Sequence, residues 1–350
     1  MMRQRLAPAG ATAAQRKAKG RLALMAAALV GLFLISFVLG RYDVPLIQVV
    51  RILIDSLPII SLPQTWEQNM ATAVINIRLP RIALACMVGC CLATAGASYQ
   101  SVFQNPMAAP DILGASSGAC FGAALSILLN FSKSSTIAVA FVFSLITVAL
   151  VYFIATRVRG NLVVSILLAG TMVSSLFSAG TSYVKLVADP SNQLPEITYW
   201  LMGSLSGTRT ADIQFAAVPM LIGLLPLLLL RWRINLLTLD EEEALAMGVN
   251  TKALRVIVIL CATFLTAASV AVSGMIGWVG LVIPHLCRKV LGNDNRYLIP
   301  GSMIFGALFL LLVDNVSRNL AATEIPIGIL TAFVGAPFFI YLMTRKERML

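Results

Sequence analysis

Charge is scarce in this 350-residue chain: Asp, Glu, Lys and Arg together make up 12% of it, about half the share in a soluble domain. With 59% hydrophobic residues and a mean hydropathy of +0.88, the composition argues against a water-soluble fold. Histidine is nearly absent. The single one, His285, has no acid, second histidine or cysteine pair at ligand spacing beside it, so it is expected to pack rather than to bind metal or act as a base. Six cysteines, Cys86, Cys90, Cys91, Cys120, Cys261 and Cys287, lie in apolar runs without a C-x-x-C pair, which points to small buried hydrophobes rather than disulfides. No G-x-x-x-x-G-K-[ST] loop occurs, so nothing in the chain is shaped to cradle nucleotide phosphates. The apolar runs hold almost no ionisable residues, and a charge at a bilayer centre costs about 2.5 to 3.5 kcal/mol, which argues against a proton relay or ion-binding path. No convergent acid, base and nucleophile set is visible, so an enzyme is not expected.

What is present is a succession of apolar segments, near 22–40, 82–99, 112–129, 137–155, 162–182, 215–230, 256–272, 274–291, 298–316 and 325–342. Ten spans of an all-α transmembrane bundle fit the length, with short loops and no separate soluble domain. The organisation expected is a basic tail over 1–21 and one transmembrane domain over 22–345. The first apolar run is too long for a signal-peptide core and lacks a clean small-x-small site, so it is expected to be a retained span. If it runs outward, 18 of the 26 Lys and Arg residues fall in cytoplasmic stretches, with both termini inside. The formal charge of +11 is then an orientation signal, and no nucleic-acid partner is implied.

Two further stretches carry information. Residues 44–60 are amphipathic and 61–76 polar, and both are expected on the outer face. The segment 238–251 begins with Thr238 and Glu241 at capping-box spacing, places Asp240, Glu241, Glu242 and Glu243 in a first turn, and reaches a helix-stopping Gly248. A short helix along the inner membrane surface follows.

Four clusters carry a family resemblance over nearly the whole chain. The first is Arg78-Leu79-Pro80-Arg81, followed by Gly96, Gln100, Asn105-Pro106-Met107-Ala108-Ala109-Pro110 and Gly114. The second is Tyr199-Trp200-Leu201-Met202-Gly203-Ser204, and the third is the acidic segment ending Ala246-Met247-Gly248-Val249. The fourth runs from Gly274 through Ile276-Gly277-Trp278-Val279-Gly280-Leu281-Val282-Ile283-Pro284-His285 to Arg288, Gly292, Asp294 and Arg296. Together they resemble the FecCD-type permeases of ABC importers, which carry iron-siderophores, haem and cobalamin. Asn295 stands where that family often has His, in a turn expected to face solvent.

The resemblance implies a type II ABC importer permease of a bacterial or archaeal cytoplasmic membrane, carrying a metal chelate, an iron-siderophore or haem first and cobalamin as the alternative. It implies a second permease copy around a central path, two separate ATP-binding subunits holding ATP and Mg, and a periplasmic or lipid-anchored substrate-binding protein. No cofactor is expected in this chain. By resemblance Arg78, Arg81 and Arg318 receive acidic residues of the docking protein, whereas spacing alone reads snorkelling arginines and an Asp314–Arg318 pair at i, i+4. Asn105 and Met107 correspond to a cytoplasmic gate, or to a plain Asn-Pro turn. Asp240, Glu241, Glu242, Glu243, Ala246, Met247 and Gly248 correspond to the helix that couples to the ATPase. A secondary transporter is the remote alternative; it would show intramembrane ionisable groups or paired broken helices, and the sequence shows neither.

Overall fold

The computed structural model describes residues 9–56, 63–158, 162–238 and 241–344, which are almost wholly helical and contain no β-strand. In chain order come α1 (Ala9–Ser36), α2 (Leu46–Asp55) and α3 (Gln68–Ala71), the last passing through a π-helical stretch, Thr72–Arg78, into α4 (Leu79–Val102). There follow α5 (Ala115–Leu128), α6 (Lys133–Arg157), α7 (Leu162–Val187), α8 (Gln193–Leu201) and α9 (Thr210–Leu230). The rest are α10 (Glu241–Ala246), α11 (Thr251–Ser273), α12 (Val279–Leu291), α13 (Asn295–Asn319) and α14 (Ile327–Thr344). Each of the ten apolar segments holds one of these helices, and among the described residues seven are long and apolar enough to cross a membrane. The amphipathic stretch after α1 forms α2, with Val49 and Ile52 buried. From Ala9 onward the basic tail is already helical and continues into the first span.

The core is built on α4, which is buried without a break from Cys91 to Phe103. Small residues make this possible by letting neighbouring backbones approach closely. A Cβ on Gly89 would sit 2.2 Å from the Gly306 carbonyl of α13, and one on Gly306 equally close to the Gly89 carbonyl. The two helices are antiparallel: Arg81 meets Asp314 at one end, and Ser101 meets Asn295 at the other. Thr94, Ser98 and Ser101 direct their hydroxyls to the carbonyls one turn back, so α4 is polar in sequence yet satisfied in place. α11 packs alongside, with the Tyr99 and Thr263 hydroxyls 3.0 Å apart. α5, α6 and α7 form a second layer, where Gly118 and Gly122 of α5 lie directly on Phe143 of α6.

One expectation is corrected. The segments 112–129 and 274–291 do not form full spans. α5 has 14 residues and α12 has 13, so each is about 20 Å long against a hydrocarbon thickness of about 30 Å. Gly114, at φ +72°, precedes α5, and Gly274, at φ +69°, ends α11. The chain is non-helical or 3-10 over 103–114 before α5 and non-helical over 274–278 before α12, breaks that the apolar run-lengths did not reveal.

Candidate functional site

Three of the sequence-predicted residues meet at one end of the bundle. Arg78 ends the π-helical stretch, Arg81 lies in the first turn of α4 and Arg318 in the last turn of α13; all three are buried. Arg81 Nε is 2.9 Å from Asp314 Oδ1, while its Nη1 is 2.9 Å from both carboxylate oxygens of Glu324, in the link between α13 and α14. Arg318 Nε approaches Asp314 Oδ2 at 3.1 Å, so the i, i+4 pair exists, but Asp314 is shared with Arg81. Arg318 also donates to Asn315 Oδ1, and Arg78 donates to the carbonyls of Phe37 and Tyr42. Arg41 adds a fourth guanidinium, donating to the carbonyls of Arg318 at 3.2 Å and Ala321 at 3.0 Å.

These arginines are therefore not splayed on a surface. They line a recess of about 200 Å³ whose walls include Gly40, Tyr42 and Glu324. The four guanidiniums are met by Asp314 and Glu324 on Arg81 and Arg318, with Asp43 near Arg78 and Glu67 bonded to Tyr42, and Arg81 Nη2 is buried with no hydrogen-bond partner. Neither Arg41 nor Glu324 is assigned a site role from the sequence. Their signal is spatial: Glu324 is 243 residues from Arg81.

Asn105 and Met107 sit at the opposite end, in the turn after α4, and both are exposed. Asn105 Oδ1 accepts from the Met107 amide at 2.8 Å, the side-chain-to-backbone bond by which Asn fixes a turn. The neighbouring Gln104 adopts φ +49°, and its side-chain amide donates to the Leu237 carbonyl. Leu237 belongs to the 3-10 turn Arg233–Thr238 that leads toward α10. Asn235 of the same turn donates to Asp294 Oδ1 at 2.8 Å and accepts from the Asn295 amide at 2.9 Å. The Asn105 turn, the start of α13 and the approach to α10 are thus one connected assembly. Asn295 is buried and also accepts from Ser101 at 3.1 Å, which corrects its expected place in a solvent-facing turn.

The acidic segment forms α10 and ends as its Gly248 requires. Gly248 takes φ +78°, its amide bonding to Leu245 O at 2.9 Å and that of Val249 to Ala244 O at 3.0 Å, a Schellman closure. Asn250 then caps α11 by accepting from the Ala253 amide at 3.0 Å. Asp240 and the side chains of Thr238, Glu241 and Glu242 lie outside the described residues. Glu243, Leu245, Ala246 and Met247 are exposed, while Ala244 is fully buried.

The model of the FecCD transport family matches residues 28–345. The chain belongs to that family. It is a multi-pass membrane protein, the permease subunit of an ABC importer. This FecCD permease is 40% identical over 314 residues to the molybdate import system permease protein MolB of Haemophilus influenzae, covering 90% of this chain and 92% of that one. It is 39% identical to a probable iron chelatin transport system permease protein of Helicobacter pylori, covering 80% and 84%. A solved structure described as an inward-facing conformation of a putative metal-chelate type ABC transporter superposes with a TM-score of 0.82 at 39% identity, over 93% of this chain and 99% of that one.

Proposed function

We propose that this permease works as a dimer with two ATP-binding subunits and a substrate-binding protein, and admits a metal-bearing solute, an iron chelate first. The family match over residues 28–345 carries this reading, with the metal-chelate and iron-chelatin relatives supporting the cargo class. The arginine end faces outward, and the recess lined by Arg41, Arg78, Arg81 and Arg318 receives carboxylates of the binding protein. A charge pair at such a rim steers encounter and fixes register more than it adds affinity. The Asn105 end faces the cytoplasm, where α10 presents Leu245 and Met247, 53% and 58% exposed, to the ATPase. Asn105 and Met107 close the path beside it. ATP and Mg belong to the partner subunit.

A second cargo, the molybdate oxyanion, is favoured by the Haemophilus relative, which this chain matches almost end to end. The test is uptake into proteoliposomes holding this chain, its ATPase and its binding protein, offered ferric siderophores, haem, cobalamin and molybdate in parallel. ATP-dependent accumulation of a ferric chelate is expected. Accumulation of molybdate alone would replace the cargo, and ATP-independent uptake by this chain without partners would overturn the importer itself.

A further inference from the structure

The two half-length helices begin at the same depth, and a carboxylate stands between their starts. Gly114 packs against Ser174, the midpoint of the 26-residue α7, and Gly280 of α12 packs against Leu92, close to the midpoint of α4. Pro110 lies directly on Gly280, where a Cβ would come within 2.3 Å of its ring. Asp111, the next residue, is thus held near the bilayer midplane, in a 3-10 turn over Pro110–Leu113. Irregular backbone at that depth is tolerated only where protein buries it or where it lines a water-filled cavity.

Two adjoining cavities of about 280 and 650 Å³ share Asp111, Met275, Gly277 and Trp278 in their walls. Asp111 is exposed to this space. Its Oδ1 accepts from the Ser116 amide at 3.2 Å and the Ser116 side chain bonds the same carboxylate, capping the first turn of α5, while no ion pair among the described residues includes Asp111. Trp278 holds φ +69°, a region that bulky residues avoid, with its indole laid over Gly335 of α14. A carboxylate without a paired cation is costly against hydrocarbon, so these cavities call for water.

We propose that Asp111, with Met275 and Trp278, forms a water-filled, cation-favouring site halfway through the membrane, where positively charged groups of a solute meet the carboxylate and free anions are disfavoured. The Asp111 carboxylate holds the start of α5 through Ser116 and, having no cation paired with it, sets the sign of the cavity. The indole face of Trp278 adds to the same preference, since aromatic faces attract cations. This deepens the permease reading by naming a charge filter inside it.

The test needs neither cargo nor ATP, so its failure is separate from that of the importer reading. Met275→Cys, in the full chain in proteoliposomes, is labelled with a quaternary-ammonium thiosulfonate and with a sulfonate thiosulfonate, the unsubstituted chain serving as blank. The cationic reagent is expected to react faster, and adding Asp111→Asn should lower the cation-to-anion rate ratio on the order of fivefold. Asn caps helices as well as Asp does, so a purely structural Asp111 would leave the ratio unmoved. Asp111→Glu keeps the charge and should keep the ratio. No labelling above the blank would overturn the aqueous cavity, and an unchanged ratio in Asp111→Asn would overturn the charge preference.

Discussion

Arg81 of α4 and Asp314 of α13 meet at 2.9 Å around a carboxylate with no exposed surface. The same carboxylate serves Arg318, so one buried negative charge holds two guanidiniums from two helices. Removing it leaves Arg318 buried without a counterion and Arg81 with Glu324 alone, and losing one partner of a buried pair costs about 3 to 5 kcal/mol. Asp314→Ala is therefore expected to lower the thermal unfolding midpoint of the purified protein sharply. A midpoint within a degree of the parent would show that the cluster is not what joins α4 to α13 at that end.

Glu324 behaves differently, because its side chain is 26% exposed at the mouth of the recess. It occupies Arg81 Nη1 with both oxygens, the position that an incoming carboxylate would take. Glu324→Gln should cost about 1 kcal/mol or less in stability, as partly exposed pairs do, while raising the positive potential of the recess. The expected result is a several-fold faster association with the binding protein at low salt, read by surface-immobilised binding kinetics. Slower association would place the docking contact elsewhere.

Which of these features the sequence disclosed follows from what each one depends on. The spans of α1, α4, α6, α7, α9, α11 and α13 were legible because long apolar runs register composition directly. The breaks before α5 and α12 were not, since Gly114, Gly274 and Gly277 sit inside apolar runs and a run-length cannot tell a backbone bend from a packed glycine. At the arginine end, the Asp314–Arg318 pair was visible from helical spacing, whereas Arg81–Asp314 and Arg81–Glu324 join residues more than 230 positions apart. Asn295 was misplaced for the same reason: its partners Ser101 and Asn235 are distant in the chain.

Gly306 offers a test of the close approach at the core. A Cβ there would lie 2.2 Å from the Gly89 carbonyl and 2.5 Å from the Ala93 side chain, and neither can move without separating α4 from α13. Gly306→Val is expected to destabilise by about 1 to 3 kcal/mol through overpacking. Gly31→Val, where nothing lies within 4 Å of the added carbon, is the matched control and should change the midpoint little. Equal behaviour of the two would mean that the helices are free to shift apart.

The last prediction concerns the link between the Asn105 turn and the approach to α10. Gln104 sits at φ +49°, a region where a non-glycine residue is uncommon, and spends its side chain on the Leu237 carbonyl. Under the proposed function this bond transmits movement of α10 to the turn carrying Asn105 and Met107. Gln104→Gly removes the side chain and at the same time eases the left-handed backbone, so it separates the two contributions. If the hydrogen bond is what matters, the variant should keep or gain stability yet transport several-fold less solute per ATP hydrolysed, with ATPase assembly unchanged. Gln104→Asn tolerates the same backbone but is one methylene too short to reach Leu237, so it should share the defect. Transport per ATP equal to the parent in both variants would assign Gln104 to local turn structure and leave coupling to the Asn235–Asn295 contact instead.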